Sequence, residues 1–472
     1  MKSIKKLFSL MVVAFIATMA VVSPVNAAKS ASTTTGTITI NNAVNGEDYS
    51  LYQMLKIASF DVNDDRTGKV SYIVDAKWYN FFKKGTYASN FDVTNETPSG
   101  EHYVILKSSP TDMARFAKDA LAYAKANNIA PIDKKTAANG KVEWTGLALG
   151  YYLIESTVGV VCSIDSTIPN ATIIEKNGTP SIDKVMDGGV NTNNGSIGDI
   201  VNYTITVNQL AGIKNVKVVD TITEGLTYYD MNNSFVVKKG TTTLVKDTDY
   251  TLVVSGNTFT LKLLNTESMN KNDVITITYK AQINAKSVTN VTNKNKADLH
   301  YGKNTIIEGI PTETFTYGFK VNKTDGTQAL EGAKFKLYDA ATNGNEIKVV
   351  FVKTENNVNY YRVAMSSEVS SATEIVAGEA VIDGLALGTY YLEETVAPEG
   401  YNKLASRVAV QISLNDDNSF GYQNREIVNT TGAVLPSTGG IGTTLFVTFG
   451  SLMTISAGLL LITKFRLAKE NA

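Results

Sequence analysis

The chain has 472 residues, a formal net charge of −1, two histidines and one cysteine. Charge this balanced gives no electrostatic reason to expect nucleic acid or an anionic membrane surface as a partner, and a single thiol, Cys162, rules out an intramolecular disulfide. His102 and His300 stand far apart, no CxxC occurs, and neither a phosphate-binding glycine loop nor a GxSxG elbow is present, so no metal, no cofactor and no conventional enzyme site is expected.

Lys2, Lys5 and Lys6 precede an apolar segment from Leu7 to Val22, and Val25-Asn26-Ala27 offers small residues for cleavage. Residues 1–27 therefore read as a secretory signal peptide, removed before folding. The following stretch, about 410 residues rich in short alternating runs of Tyr, Thr, Val and Ile between Gly and Asn, has room for several domains and reads as all-β.

A first domain, 28–178, opens with a strand at Gly36–Ile40 and holds one helical insertion, Thr111–Asn128. Met113, Phe116, Ala117, Ala120, Leu121 and Ala124 share one face of that helix, which is expected to pack on the domain's own sheet. Cys162, in Val160-Val161-Cys162, reads as a buried small hydrophobe. A central domain, 179–305, carries period-two strands at Tyr203–Val207, Val216–Ile222, Thr258–Leu263 and Val274–Tyr279, the spacing of a β-sandwich. Gly302–Thr312 reads as a short linker or edge segment, and a third domain, 314–431, begins with Phe319–Asp325.

An internal repeat relates the outer two domains: Gly146-Leu147-Ala148-Leu149-Gly150-Tyr151-Tyr152-Leu153-Ile154-Glu155 recurs, with one inserted residue, over Gly384–Glu394. The last segment, 435–472, holds Leu435-Pro436-Ser437-Thr438-Gly439-Gly440, then an uncharged apolar run from Ile441 to Thr463. That run is long enough to cross a bilayer, and Lys464, Arg466 and Lys469 would keep the tip cytoplasmic.

Strand alternation puts three polar residues of the central domain on inward faces. Lys184 shares a face with Ile182 and Met186, Asp220 with Val218 and Ile222, and Asn295 with Ala297, Leu299 and Tyr301. Unpartnered burial of such groups costs several kcal/mol, so they are expected to meet. Two outcomes stand level on the face argument: a satisfied Lys184–Asp220 ion pair, or a neutral amine attacking the asparagine amide beside a protonated acid, with loss of ammonia and formation of an isopeptide bond. In the third domain Lys323 faces with Phe319 and Val321, and Glu394 with Tyr390 and Leu392.

The hexapeptide with its apolar span and basic tail resembles the LPxTG sorting signal of Gram-positive surface proteins, on Leu435, Pro436, Ser437, Thr438 and Gly439. The resemblance implies sortase cleavage between Thr438 and Gly439 and transfer of the Thr438 carbonyl to an amine of the wall or of another pilin. On Ser181-Ile182-Asp183-Lys184, Val219-Asp220-Thr221 and Asn295-x-Ala297-x-Leu299-x-Tyr301, the central domain resembles that of sortase-assembled pilus backbone subunits, which implies a Lys184–Asn295 bond promoted by Asp220. Tyr390-x-Leu392-x-Glu394-Thr395-x-Ala397-Pro398-x-Gly400-Tyr401 matches every position of the pilin E-box and resembles the collagen-adhesin B-type domain. That resemblance implies a Lys323–Asn429 bond promoted by Glu394, with Asn424 as the fallback partner.

The implied architecture is three tandem Ig-like sandwiches of the CnaA and CnaB types. In the first, Asn42 stands where the lysine belongs although Glu155 survives, so no crosslink is expected there and Glu155 reads as a buried, hydrogen-bonded relic. Asn170–Asn177 corresponds to the family's acceptor motif, keeping Lys-Asn but lacking its Trp, Tyr and Pro; Lys176 is the candidate acceptor, against a solvated surface lysine.

The implied protein is a secreted, wall-attached pilus backbone subunit joined Thr438 to Lys176. Its implied partners are a pilin-specific class C sortase, a housekeeping sortase, other copies of the chain, minor tip and base pilins, and peptidoglycan; a host matrix or cell-surface ligand is left unnamed. Tension would cross each crosslinked domain between its first and last strands. The competing reading is a monomeric wall-anchored adhesin that binds host matrix through its first domain.

Overall fold

The structure, a computed structural model, describes residues 35–470 apart from 61–69, 95–101, 160, 166–169, 175–179, 211, 267–268, 271, 290, 416–419 and 433–441. Residues 1–27, expected to be a signal peptide, Lys176 and the sorting hexapeptide lie outside the described residues. The chain forms two compact units: one runs to Gly318 and takes in Val363–Ser367 and Asp383–Leu387, and the other comprises Phe319–Arg362, Glu368–Ile382 and the chain from Gly388 on. Both are built from β-sandwiches, as the alternation of inward apolar residues requires.

In the first domain the strand Thr35–Asn41 buries Ile38 and Ile40 completely. It pairs in parallel with Asn170–Ile174 and antiparallel with Lys141–Ala148. A larger sheet, centred on Asp48–Phe60 and Gly150–Ser156, packs against it through Tyr49, Leu51, Tyr152 and Ile154, which meet Ile38, Ile40 and Trp144. Cys162 lies partly buried at the edge of this core.

Helices form a second apolar layer in the domain. Met113–Ala126 starts at Asp112, whose carboxylate accepts from the Arg115 amide at 2.9 Å, and buries Phe116, Ala117, Ala120, Leu121 and Ala124. A second helix, Ala76–Lys83, corrects the expectation of a single helical insertion; it buries Trp78, Phe81 and Phe82. Its eight residues are too few to be helical on their own, and aromatic packing holds them. Phe81 meets Phe82 edge-on at 5.2 Å and Phe116 at 5.5 Å.

The central sandwich sets Ser181–Met186, Ile200–Asn208 and Ile275–Ile283 in one sheet. The other holds Lys217–Ile222 between Thr258–Leu263 and Asn293–Tyr301. Here the domain boundaries need correction. Thr305–Ile307 folds back on Leu299–Tyr301, and Thr312–Phe315 pairs with both Asn293–Asn295 and Thr192–Asn194. The central domain thus continues past 305: the stretch expected to be a linker or edge segment supplies the strand Thr305–Ile307, Thr312–Phe315 adds another, and the third domain starts with Tyr317–Thr324 rather than at 314. The inward residues of the missed strand are Thr312 and Thr314, each 1 % exposed. The Thr312 hydroxyl donates to the Asn295 carbonyl at 3.2 Å, so a buried strand here shows no apolar alternation.

The third domain also has two sheets, one running Val349–Glu355, Val358–Val363, Glu379–Leu385, Tyr317–Thr324, Gln423–Val428, the other built on Ala333–Tyr338, Gly388–Val396 and Val408–Ile412. Its first and last strands, Tyr317–Thr324 and Gln423–Val428, run parallel, with Lys323 opposite Ile427. Beyond it, Gly442–Glu470 is a helix in which Thr443–Leu467 is long and apolar enough to cross a membrane, with a mean hydropathy of 2.1.

Candidate crosslinking sites

Lys184, Asp220 and Asn295 meet at the centre of the middle sandwich, 3 %, 0 % and 0 % exposed. The amine comes from one sheet, and the acid and amide come from adjacent strands of the other, where Asp220 stands opposite Ala297 and Ile222 opposite Asn295. Lys184 Nζ donates to Asp220 Oδ2 and to Asn295 Oδ1. The amine also lies 5.0 Å from the ring centroid of Tyr203 and 5.5 Å from that of Tyr279.

Burial pushes the Lys184 ammonium down to about 8, against the opposing pull of Asp220. Burial likewise pushes the Asp220 carboxyl up, although Lys184 and two tyrosine hydroxyls favour its charged form. Both shifts move the pair toward neutral amine and neutral acid. The chain also brings in two hydroxyls that alternation could not flag: Tyr228 donates to Asp220 Oδ1 at 2.9 Å and Tyr279 to Asp220 Oδ2 at 2.9 Å. Tyrosines on inward strand positions read as ordinary core.

Lys323, Glu394 and Asn429 are brought together in the third domain, each 1 % exposed. Lys323 Nζ donates to the carbonyls of Thr324 and Ile427, both at 3.0 Å, and desolvation lowers its pKa. Asn429 Nδ2 donates to Glu394 Oε2 at 2.8 Å and to the Asn402 carbonyl at 2.8 Å. The Leu404 amide also donates to Glu394 Oε2, at 2.8 Å. Glu394 Oε1 and Asn429 Oδ1 are buried without a hydrogen-bond partner among the described residues. Asn424, the fallback, is exposed opposite Lys320.

In the first domain Asn42 is exposed just past its strand with φ +59°, away from the core. Glu155 is half-buried and hydrogen-bonded as expected, accepting from the Tyr52 hydroxyl at 3.4 Å, but it is more than a relic. It is an ion-pair hub, bound to Lys214 of the central domain and to Lys125 at 2.9 Å. Burial raises its pKa, but the two ammonium groups outweigh that and hold it low.

Two further carboxylates clasp the same central domain. Glu47, 1 % exposed, accepts from the Lys303 amide at 2.7 Å and the Thr305 hydroxyl at 2.7 Å, and Asp48 pairs with Lys303 at 3.3 Å. Nothing periodic in the sequence marks this contact. One expectation about force needs correction: Asn295 is not on the last strand of the central domain, because two strands follow it.

Residues 318–426 match the SpaA family, described as a prealbumin-like fold domain, and residues 427–465 match the LPXTG cell wall anchor motif. The chain is a cell-surface protein that ends in a covalent wall-anchor signal behind a run of β-sandwiches. It is similar to the trypsin-resistant surface T6 protein of Streptococcus pyogenes serotype M6, 27 % identical over 272 residues. That match takes in 49 % of this chain and 45 % of the relative, so the chain spans about half the length of the curated protein it matches.

Similar solved structures include the T6 backbone pilin of serotype M6 Streptococcus pyogenes (TM-score 0.48, 20 % identity, 81 % of this chain and 80 % of that one). Two others are the full-length pilus protein RrgB from Streptococcus pneumoniae (0.47, 14 %, 86 % and 100 %) and the major pilin SpaD from Corynebacterium diphtheriae (0.45, 18 %, 84 % and 97 %).

Proposed function

We propose that this chain is the backbone subunit of a covalently polymerised, wall-attached pilus, and that its central and third domains each close an internal Lys–Asn bond. The observation that carries the reading is the meeting of amine, acid and amide in the buried core of the central domain, together with a second buried lysine, acid and amide in the third, where the acid and amide are hydrogen-bonded to each other. A buried ammonium–carboxylate pair alone needs no asparagine, and each core supplies one.

In the central domain the neutral Lys184 amine attacks Asn295 Cγ, the neutral Asp220 acid gives its proton toward the departing amide nitrogen and takes the amine proton in return, and ammonia leaves; in the third, Lys323 attacks Asn429 Cγ beside Glu394. Between subunits, a pilin sortase of class C would cleave after Thr438 and pass the acyl group to Lys176 of the next copy, and a housekeeping sortase would transfer the finished fibre to peptidoglycan. Minor tip and base pilins are the remaining partners of this reading.

Two measurements test it. Intact mass of the folded mature chain should fall short of the residue sum by two ammonia molecules, and Asp220→Ala and Glu394→Ala should each restore one. Wall extracts should give heat-stable ladders in SDS that Lys176→Ala abolishes. A single band would instead leave a monomeric wall-anchored surface protein.

A further inference from the structure

Resting on the reading of the central domain as a bond-forming site, we infer that Tyr279 is the proton relay that lets Asn295 release ammonia. Forming the bond requires one proton to leave Lys184 Nζ and one to reach Asn295 Nδ2, because an unprotonated amide nitrogen is too poor a leaving group to depart. No bulk water can deliver it here. Lys184, Asp220, Asn295 and Tyr279 are between 0 % and 3 % exposed.

The route must therefore run through side chains, and the contacts allow one. The side chain of Asp220 bonds Lys184, Tyr228 and Tyr279, while the amide nitrogen of Asn295 donates to the Tyr279 hydroxyl at 2.8 Å. Among the described residues, Tyr279 is the one whose hydroxyl is hydrogen-bonded to both the acid and the leaving nitrogen. The amide's orientation follows from donor and acceptor counting: an ammonium only donates, so it faces Oδ1, and the hydroxyl, whose proton goes to Asp220, accepts from Nδ2.

The steps balance without any other reagent. The lone pair of the neutral Nζ attacks Cγ, which leaves Nζ positively charged beside the neutral Asp220 acid. The acid then donates to the Tyr279 oxygen as the tyrosine hydrogen moves to Nδ2, now tetrahedral and carrying a free lone pair, and the carboxylate left behind takes the proton from Nζ. The C–N bond breaks, ammonia departs, and acid and phenol return to their starting states.

Tyr279 is held for this. Its ring stacks on Tyr203 at 5.3 Å and 17° and meets Phe259 edge-on at 5.1 Å, so the hydroxyl cannot swing away. The third domain supplies the contrast. There Asn429 Nδ2 donates directly to Glu394 Oε2 at 2.8 Å. Glutamate, one methylene longer, reaches the leaving nitrogen itself; aspartate is too short and the phenol fills the gap.

The test follows crosslinking in mature chain freshly made by cell-free synthesis, acid-quenched at intervals, with the Lys184–Asn295 linked peptide quantified by mass spectrometry. Wild type, Asp220→Ala, Tyr279→Phe and Tyr228→Phe are compared, with near-ultraviolet circular dichroism as the check of folding. Tyr279→Phe should fold and close the bond about a hundredfold or more slowly, the usual worth of general acid catalysis. Tyr228→Phe, which removes an equally placed hydroxyl from the same carboxylate, should stay within a few-fold of wild type.

Equal rates for Tyr279→Phe and wild type, or equal slowing by both Phe variants, overturn the relay and leave the parent reading intact. A wild-type chain without the linked peptide overturns the parent reading itself. If Phe leaves too large a void for folding, 4-fluorophenylalanine installed at position 279 fills it without an exchangeable proton, and the same rates decide.

Discussion

Replacing Lys184 by methionine and Asp220 by alanine separates the worth of the proposed bond from the cost of an orphaned charge. Both variants lose closure of a loop of 111 residues, which by analogy with disulfides stabilises by about 4–5 kcal/mol. Lys184→Met leaves nothing charged behind. The thioether suits a site beside the rings of Tyr203 and Tyr279, and Asp220, free to protonate, keeps its two tyrosine partners. Asp220→Ala instead strands a buried amine without its counter-ion, a further cost of about 3–5 kcal/mol.

The expected order of stability is wild type, then Lys184→Met, then Asp220→Ala, with the second gap comparable to the first. Native-state hydrogen exchange of the amides in Asn293–Tyr301 measures this locally, without assuming that a multidomain chain unfolds in one step. Exchange in Lys184→Met equal to wild type would show that no covalent closure exists. Asp220→Ala more protected than Lys184→Met would refute the buried-charge argument.

Glu394→Ala should cut the chain's mass deficit against its own residue sum by one ammonia and expose the Leu404 amide to exchange, since that amide donates to Glu394 at 2.8 Å. Glu47→Ala should weaken docking of the first domain on the central one by about 1.5–3 kcal/mol, the worth of hydrogen bonds to a charged acceptor, and be read as lost protection at Lys303 and Asn304. Acid should loosen the same contact. The Thr136 hydroxyl, followed by Lys134 and Lys303, holds the Asp48 carboxyl down at about 2, so its contribution is full above the ordinary 3.8 and fades as pH falls toward 2; energy transfer between dyes on the two domains should drop in that window, and no change would refute the assignment. Asp112→Ala should cost about 1 kcal/mol through loss of the helix cap, measured as a lower melting temperature of the first domain.

The inward faces of strands were readable because side-chain period two is a geometric necessity. Lys184, Asp220, Asn295, Lys323 and Glu394 all point where alternation puts them. The choice between Asn429 and Asn424 was not readable. Asn429 lies just past the end of its strand, buried against Glu394, where the period no longer applies. Tyr228 and Tyr279 hid because a buried ring and a buried hydroxyl are written with the same residue. Thr312–Phe315 hid because its inward residues are hydroxylic, and Ala76–Lys83 because tertiary aromatic contacts outweigh the strand preference of Trp, Tyr and Phe. The clasp by Glu47, Asp48 and Glu155 depends on how two folded domains meet, which no local pattern encodes.

Because Tyr317–Thr324 and Gln423–Val428 lie side by side and point the same way, the polypeptide enters the third domain at one end of this ribbon and leaves at the other. A load applied through those two ends slides the strands along each other. It must break their ladder of amide–carbonyl contacts together, instead of unzipping them one after another. The same geometry recurs between Thr35–Asn41 and Asn170–Ile174. Both outer domains are therefore braced in shear by topology alone, before any covalent link is counted.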